Sequence, residues 1–231
     1  MASVKVFGSP EATEVARVLT CLLEKEVDFQ LIRMDTYKGE HKVPEFIKLK
    51  DPSGQVTYKE GDKTLLESRE ICRYISDKYS EQGNKKLLGA GTLERASIEQ
   101  WLQAEATNFD PPSSALVFHL AFAPPININP NPTVIDELEE KVGRVLDIYD
   151  EKLGESEFLA GDDFTLADLS HLPNSYYLMN RTVRGRRLFE TRKNVSRWWK
   201  AISSRTSWKM VAQILGETPP LPVKTEIPVA S

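Results

Sequence analysis

The apolar residues of this chain change their spacing once along its length, and that change restricts the folds open to it. Up to about residue 80, short runs of strand character alternate with stretches of helical spacing; beyond residue 92 only helical spacing remains. Val4 and Val6 alternate with polar neighbours, residues 29–34 form a second strand, and 56–59 and 63–66 form a hairpin across Glu60-Gly61-Asp62. Between the first two strands, Val15, Val18, Leu19, Leu22 and Leu23 repeat at helical spacing within 14–25. A polar loop, Lys38-Gly39-Glu40-His41-Lys42, then precedes a short helical piece at 44–49 and a turn at Asp51-Pro52-Ser53-Gly54. Residues 68–79 return to helix.

The order β-α-β-α-β-β-α is the thioredoxin-like arrangement, so the expected class is α/β followed by all-α. A thioredoxin-like domain is assigned to 1–80, a polar linker to 81–92, a helical bundle domain to 93–216 and a mobile proline-rich tail to 217–231. The bundle opens with a long helix from 93 to about 122, expected to bend near Pro111-Pro112. A breaker-rich loop covers 124–132, and a helix over 133–153 stops at Gly154. Further helices are expected at 165–180, 191–204 and 207–215.

One local signal is strong. In Phe164-Thr165-Leu166-Ala167-Asp168, Thr165 caps a helix and Asp168, three residues on, reaches back to the Thr165 amide, with Phe164 as hydrophobic staple. Asp168 is therefore structural.

Composition excludes several classes of function. A net charge of −4 argues against nucleic acid or an anionic membrane as main partner. No stretch approaches the roughly 18 apolar residues of a membrane span, and the start enters a strand pattern without a charged-then-apolar leader, so a cytoplasmic protein is expected. The two cysteines, Cys21 and Cys72, sit in apolar helical patterns and form no C-x-x-C pair; they are expected as packed thiols. No metal-ligand cluster, phosphate-binding glycine loop or nucleophile elbow is present in the sequence.

Several segments, taken in order, carry a family resemblance. They include Val4-Lys5-Val6-Phe7-Gly8-Ser9-Pro10, Arg17-Val18-Leu19, Gly39-Glu40-His41-Lys42, Gly54-Gln55-Val56 and Leu66-Glu67-Ser68-Arg69. In the second half, Phe158-Leu159-Ala160-Gly161, Phe164-Thr165-Leu166-Ala167-Asp168-Leu169-Ser170-His171-Leu172-Pro173 and Ser207-Trp208-Lys209 continue it. From residue 4 to about 215 the chain resembles the plant glutathione transferases of the phi class.

That resemblance implies a glutathione groove along the thioredoxin-like domain and a homodimer. Ser68, at a helix start, would receive the γ-glutamyl carboxylate through free amides and the positive helix end. Glu67 would pair with the γ-glutamyl ammonium, Gln55 would also contact that unit, and the Val56 backbone would meet the cysteinyl unit. His41 and Lys42 fall where the family binds the glycyl carboxylate. Glutathione would serve as cosubstrate, with no metal.

Two departures bear on the chemistry. Phi enzymes place a serine at the start of the first helix, its hydroxyl donating to the glutathione sulfur; Ala12 stands there. A thiol near pKa 8.5 is a few per cent thiolate at neutral pH, and lowering it by two units takes roughly 2.7 kcal/mol. A hydrogen bond to a charged acceptor supplies about 1.5–3 kcal/mol, so one missing hydroxyl removes most of the activation. Thr13 is the nearest substitute, although its simpler role is to cap the helix; Ser9 is a second candidate. The family's Gly-Gln-Val-Pro, with its cis-proline, is here Gly54-Gln55-Val56-Thr57. A cis bond before a non-proline residue costs about 2.5–4 kcal/mol, so a trans bond and a weakened or displaced glutathione contact are expected.

The resemblance sets a second, hydrophobic ligand between the domains, against Phe109, Leu116, Phe118, His119, Phe122 and the Tyr176-Tyr177 pair. Taken singly, each of these reads more readily as core, with His119 at its edge and His171 structural. Arg184, Arg186 and Arg187 form a basic cluster read as a solvated loop. Three functions fit: a transferase with weakened conjugation, a carrier of a flavonoid-like aromatic metabolite, or a lyase or isomerase of secondary metabolism reusing the cleft.

Overall fold

A computed structural model describes residues 4–34 and 56–216. His41, Lys42 and Gln55, the expected helical piece at 44–49, the turn at 51–54 and the tail at 217–231 lie outside the described residues.

In β1 (Val4–Gly8), Val4 and Val6 turn inward and Lys5 outward, as the period of two requires. β2 (Phe29–Arg33) pairs parallel to β1, setting Leu31 opposite Val6; β3 (Thr57–Glu60) pairs antiparallel on the other side, setting Tyr58 opposite Val6. β4 (Lys63–Leu66) closes the sheet in the order β2-β1-β3-β4. Helix α1 (Thr13–Glu24) is buried over most of its length, including Arg17, because neighbours cover it on several sides. It packs on α2 (Ser68–Lys78) and against three helices of the second half, defined below. Cys21 and Cys72 are free and buried between α1 and α2.

The start of the segment expected as a polar linker is hydrogen-bonded to the end of α1. Asn84 N–H donates to the Glu24 carbonyl at 2.7 Å, the Gln82 amide to Lys25 O at 2.9 Å, and buried Lys25 Nζ to Asn84 O at 2.9 Å. Gly83 has φ +56, and a Cβ there would lie 2.7 Å from the Lys25 backbone, so that turn requires glycine.

The long helix is present but does not simply kink. α3 (Thr92–Ala104) widens into a π turn, Glu105–Phe109, continues as α4 (Asp110–Val117) and widens again over Phe118–Phe122. Pro111 and Pro112 have no N–H and their rings crowd the carbonyls four residues back; the first π turn absorbs this misfit with the backbone still helical. After a 3₁₀ turn at Pro124–Ile126, Asn131 caps α5 (Pro132–Lys152), accepting from Thr133 N–H at 3.0 Å.

The expected 165–180 helix is two helices, α6 (Leu166–Leu169) and α7 (Leu172–Arg181). The supposed arginine loop is a correction: residues 183–190 form helix α8 (Val183–Glu190), capped by Thr182, whose Oγ1 accepts from Gly185 N–H at 2.9 Å. Arg184 pairs there with Asp136 and Glu139 on α5, so this arginine belongs to a helix–helix seam, while Arg186 and Arg187 are exposed. Gly185 and the surrounding charge hid the helix, since neither favours an apolar stripe. α9 (Lys193–Ser203) and α10 (Thr206–Gly216) complete the described chain, and α1 packs on α6, α7 and α10.

Asp168 performs the role expected of it and more. Its carboxylate accepts from Thr165 N–H at 3.1 Å, Leu159 N–H at 3.0 Å and Trp198 Nε1 at 2.9 Å, while Thr165 Oγ1 accepts from Ala167 N–H. Behind it His171 is fully buried, its Nδ1 2.7 Å from Ala167 O and its Nε2 2.9 Å from Tyr149 Oη. A carbonyl only accepts, so Nδ1 carries the proton and Nε2 accepts from the tyrosine. Burial drives the imidazole pKa down to about 3.

Candidate functional site

Two helix entrances, α1 and α2, define the site. Among the α2 residues, Ser68 is buried at the first helical position, and the preceding Glu67 is exposed with φ 65 and ψ 107. A non-glycine residue there is strained, a cost that surrounding contacts must hold in place. The Glu67 carbonyl accepts from Ile71 N–H at 3.0 Å, closing the first turn, while the earlier amides of α2 have no intrahelical partner.

Beneath Ser68 lies a buried charge network that sequence reading missed. Arg17, 1% exposed, donates from Nη1 to Ser68 Oγ at 2.7 Å and from Nε and Nη2 to Ser170 O at 3.4 Å. Because Ser68 Oγ accepts from the arginine, its own proton points elsewhere. Arg69 forks onto Glu105 at 2.7 and 3.0 Å and reaches Asp110 at 3.1 Å; Arg17 also meets Glu105 at 3.5 Å. Two cations thus face two carboxylates, and Asn174 on α7 donates to Asp110 at 2.8 Å. Burial pushes the Glu105 pKa up; Asp110, also opposed by burial, is held down by Arg17 and Arg69. The π turn carries Glu105 into this network. An arginine between Val15 and Val18 in an apolar helix is the one signal that announced it.

The α1 entrance is bare. Ala12 is its N-cap, with φ −68, ψ 130 and no side-chain acceptor for the first amides. Thr13 was expected to cap the helix; instead it occupies the first helical position, and its hydroxyl donates to Glu14 Oε2 at 3.2 Å. Among the described residues no peptide bond is cis, so the Val56–Thr57 bond is trans, as expected. Val56 is buried and leads into β3, where Thr57 pairs with Phe7 and Leu66.

The expected hydrophobic lining separates into two groups. Phe109 and Leu116 are core: both are fully buried, and Phe109 packs against Tyr149 and His171. Phe118, His119 and Phe122 share the second π turn. Phe122 meets Tyr177 edge-on at 4.9 Å, Tyr177 meets Tyr176 at 5.6 Å, and the Tyr177 hydroxyl donates to Glu11 O at 2.8 Å. This chain of contacts connects the π turn to the α1 entrance. His119 Nδ1 is buried and lacks a hydrogen-bond partner among the described residues.

Comparison with known proteins agrees with the arrangement of these halves. The model for the glutathione S-transferase N-terminal domain matches residues 2–77, and that for the C-terminal domain matches 112–206. Glutathione S-transferase F10 of Arabidopsis thaliana is 43% identical over 197 residues, covering 85% of this chain and 90% of the relative. Glutathione S-transferase PARB of Nicotiana tabacum is 39% identical, covering 89% and 95%. Among solved structures, glutathione transferase F2 of Populus trichocarpa superposes with TM-score 0.89 at 54% identity, over 93% of this chain and all of that one.

Proposed function

This chain belongs to the glutathione S-transferase family, with relatives among the plant phi-class enzymes, and from that premise we propose that it binds glutathione and conjugates it with weakened thiol activation. The observation that carries this reading is the bare α1 entrance, with Ala12 as N-cap and the Thr13 hydroxyl turned to Glu14.

Glutathione is held by its two ends. The γ-glutamyl carboxylate meets the free amides and hydroxyl of Ser68, with Arg17 fixing that hydroxyl, and Glu67 takes the ammonium. Gln55 and the Val56 backbone serve the middle, and His41 and Lys42 the glycyl carboxylate. The sulfur then lies at the α1 entrance. With no serine hydroxyl, its anion is stabilised by the first amides and the positive end of α1, each helix-end contribution being about 0.3–1 kcal/mol. A chloronitroaromatic acceptor beside Phe118, Phe122 and Tyr176 tests the reaction. The thiol proton leaves to water, a C–S bond forms, the C–Cl bond breaks and chloride departs with its electron pair. Proximity in the groove supplies much of the rate. The protein acts as a cytoplasmic homodimer.

A second reading, a carrier of a flavonoid-like aromatic metabolite, draws on the Phe122, Tyr176 and Tyr177 cluster beside an entrance that lacks the hydroxyl; a lyase or isomerase would use the same cleft. Calorimetry with glutathione and turnover of chlorodinitrobenzene separate the readings. Association with turnover supports the transferase, whereas tight binding of an aromatic metabolite without turnover supports the carrier. No association with glutathione at millimolar concentration sinks the leading reading.

A further inference from the structure

Tyr177 holds the peptide that leads into α1. It stands in α7, yet its hydroxyl donates to the Glu11 carbonyl at 2.8 Å. The nitrogen of that same peptide unit, Ala12 N–H, donates to Ser9 O at 3.0 Å. The Glu11–Ala12 peptide is therefore held at both its polar ends, one by the helical half of the molecule and one by its own loop. The phenol is rigid: Tyr177 is 4% exposed, and its ring packs edge-on between Phe122 and Tyr176. Rotation of this peptide would turn the direction in which the amides of Thr13, Glu14 and Val15 point.

We propose that Tyr177 is a positioning residue for the conjugation reaction, aiming the first amides of α1 at the glutathione sulfur through its hydrogen bond to the Glu11 carbonyl. The inference rests on the site reading given above. A serine hydroxyl can rotate to follow a displaced sulfur; backbone amides cannot. With Ala12 at the entrance, orientation of those amides carries the stabilisation of the thiolate, and such stabilisation depends on dipoles fixed before the reaction. The phenol matters here because the alcohol is gone.

Tyr177→Phe keeps the ring and deletes the donor. In the full-length protein, the thiolate of bound glutathione is followed by its ultraviolet absorbance against pH, beside steady-state kinetics with chlorodinitrobenzene. The expected result is a pH midpoint raised by about half a unit to one unit and kcat at neutral pH lowered about threefold to tenfold, the scale of one net hydrogen bond. KM for glutathione stays within about twofold, because the ends of the tripeptide are held elsewhere. A merely structural tyrosine would lower the melting temperature and leave the pH midpoint in place, which overturns the inference. Phe122→Leu loosens the ring and keeps the hydroxyl, so it should shift the midpoint the same way by less; it also serves if Tyr177→Phe does not fold. Wild-type protein that binds and turns over glutathione, with no midpoint shift in either variant, removes this inference alone. Wild-type protein that fails to bind glutathione removes the site reading, and this inference with it.

Discussion

The entrances of α1 and α6 have the same task, to satisfy the first amides of a buried helix, and they are finished in opposite ways. At α6, Thr165 and Asp168 close a complete capping box, and the Asp168 carboxylate reaches on to Leu159 and Trp198. At α1, the cap is a methyl group, and the nearest hydroxyl serves Glu14. The α2 entrance follows α1, with strained Glu67 making no side-chain cap. Buried amides without partners cost about 1–3 kcal/mol each, so a helix end left open is a standing cost unless something else meets it. In this chain the closed α6 entrance ties the helical half together, while the open α1 and α2 entrances are the two that our proposal gives to glutathione.

The largest expected effect is at the closed end. Asp168→Ala should lower stability by about 3 kcal/mol or more, because it strands several buried donors at once; chemical denaturation measures it. A loss below about 1 kcal/mol would mean the closed entrance is no more structural than the open one. At the open end, Ala12→Ser should raise kcat for conjugation about tenfold or more at neutral pH, with the pH midpoint moving down. The same substitution combined with Thr57→Pro tests both departures; if the double variant shows no rise in pH–rate measurements, the groove has been rebuilt for another task.

The closed region should also be acid-sensitive. His171 is neutral in the fold, with its pKa near 3, while an unfolded histidine titrates near 6.5. Between those values the unfolded chain holds the extra proton, so stability rises with pH and falls as the solution is acidified. The slope from this residue is up to about 1.4 kcal/mol per pH unit, and lowering the pH from 6.5 to 5.5 should cost about 1 kcal/mol. His171→Asn should flatten denaturation midpoints against pH in that window, even though it lowers stability overall. The smallest effect is at Thr13. Thr13→Val should change kcat by less than about twofold, since the hydroxyl it removes is turned to a neighbouring side chain. A tenfold fall would restore Thr13 as the sulfur's donor and break the contrast drawn above.

Much of this was legible from neighbouring residues alone. Strands, the first two described helices and the Thr165–Asp168 box depend on spacings of two, three or four residues, which local sequence carries. Ala12 could be placed at the helix entrance because the resemblance to the phi-class transferases sets their serine position there, and it is the N-cap. What escaped were pairings between distant positions. Arg17 meets Ser170 across 153 residues, Arg69 meets Glu105 across 36, and Tyr177 meets Glu11 across 166. Helix α8 escaped for a related reason: its Arg184 pairs with Asp136 and Glu139 on α5, which no window around Gly185 contains.

By itself, then, the chain's order of residues determined the strands, the strongly periodic helices and the Thr165–Asp168 cap, since those energies act over a few bonds. Tertiary structure decided which buried charges are tolerated and how the π turns aim their side chains. It also decided which phenol reaches the uncapped entrance, because desolvation and hydrogen bonding there depend on groups that only folding brings together.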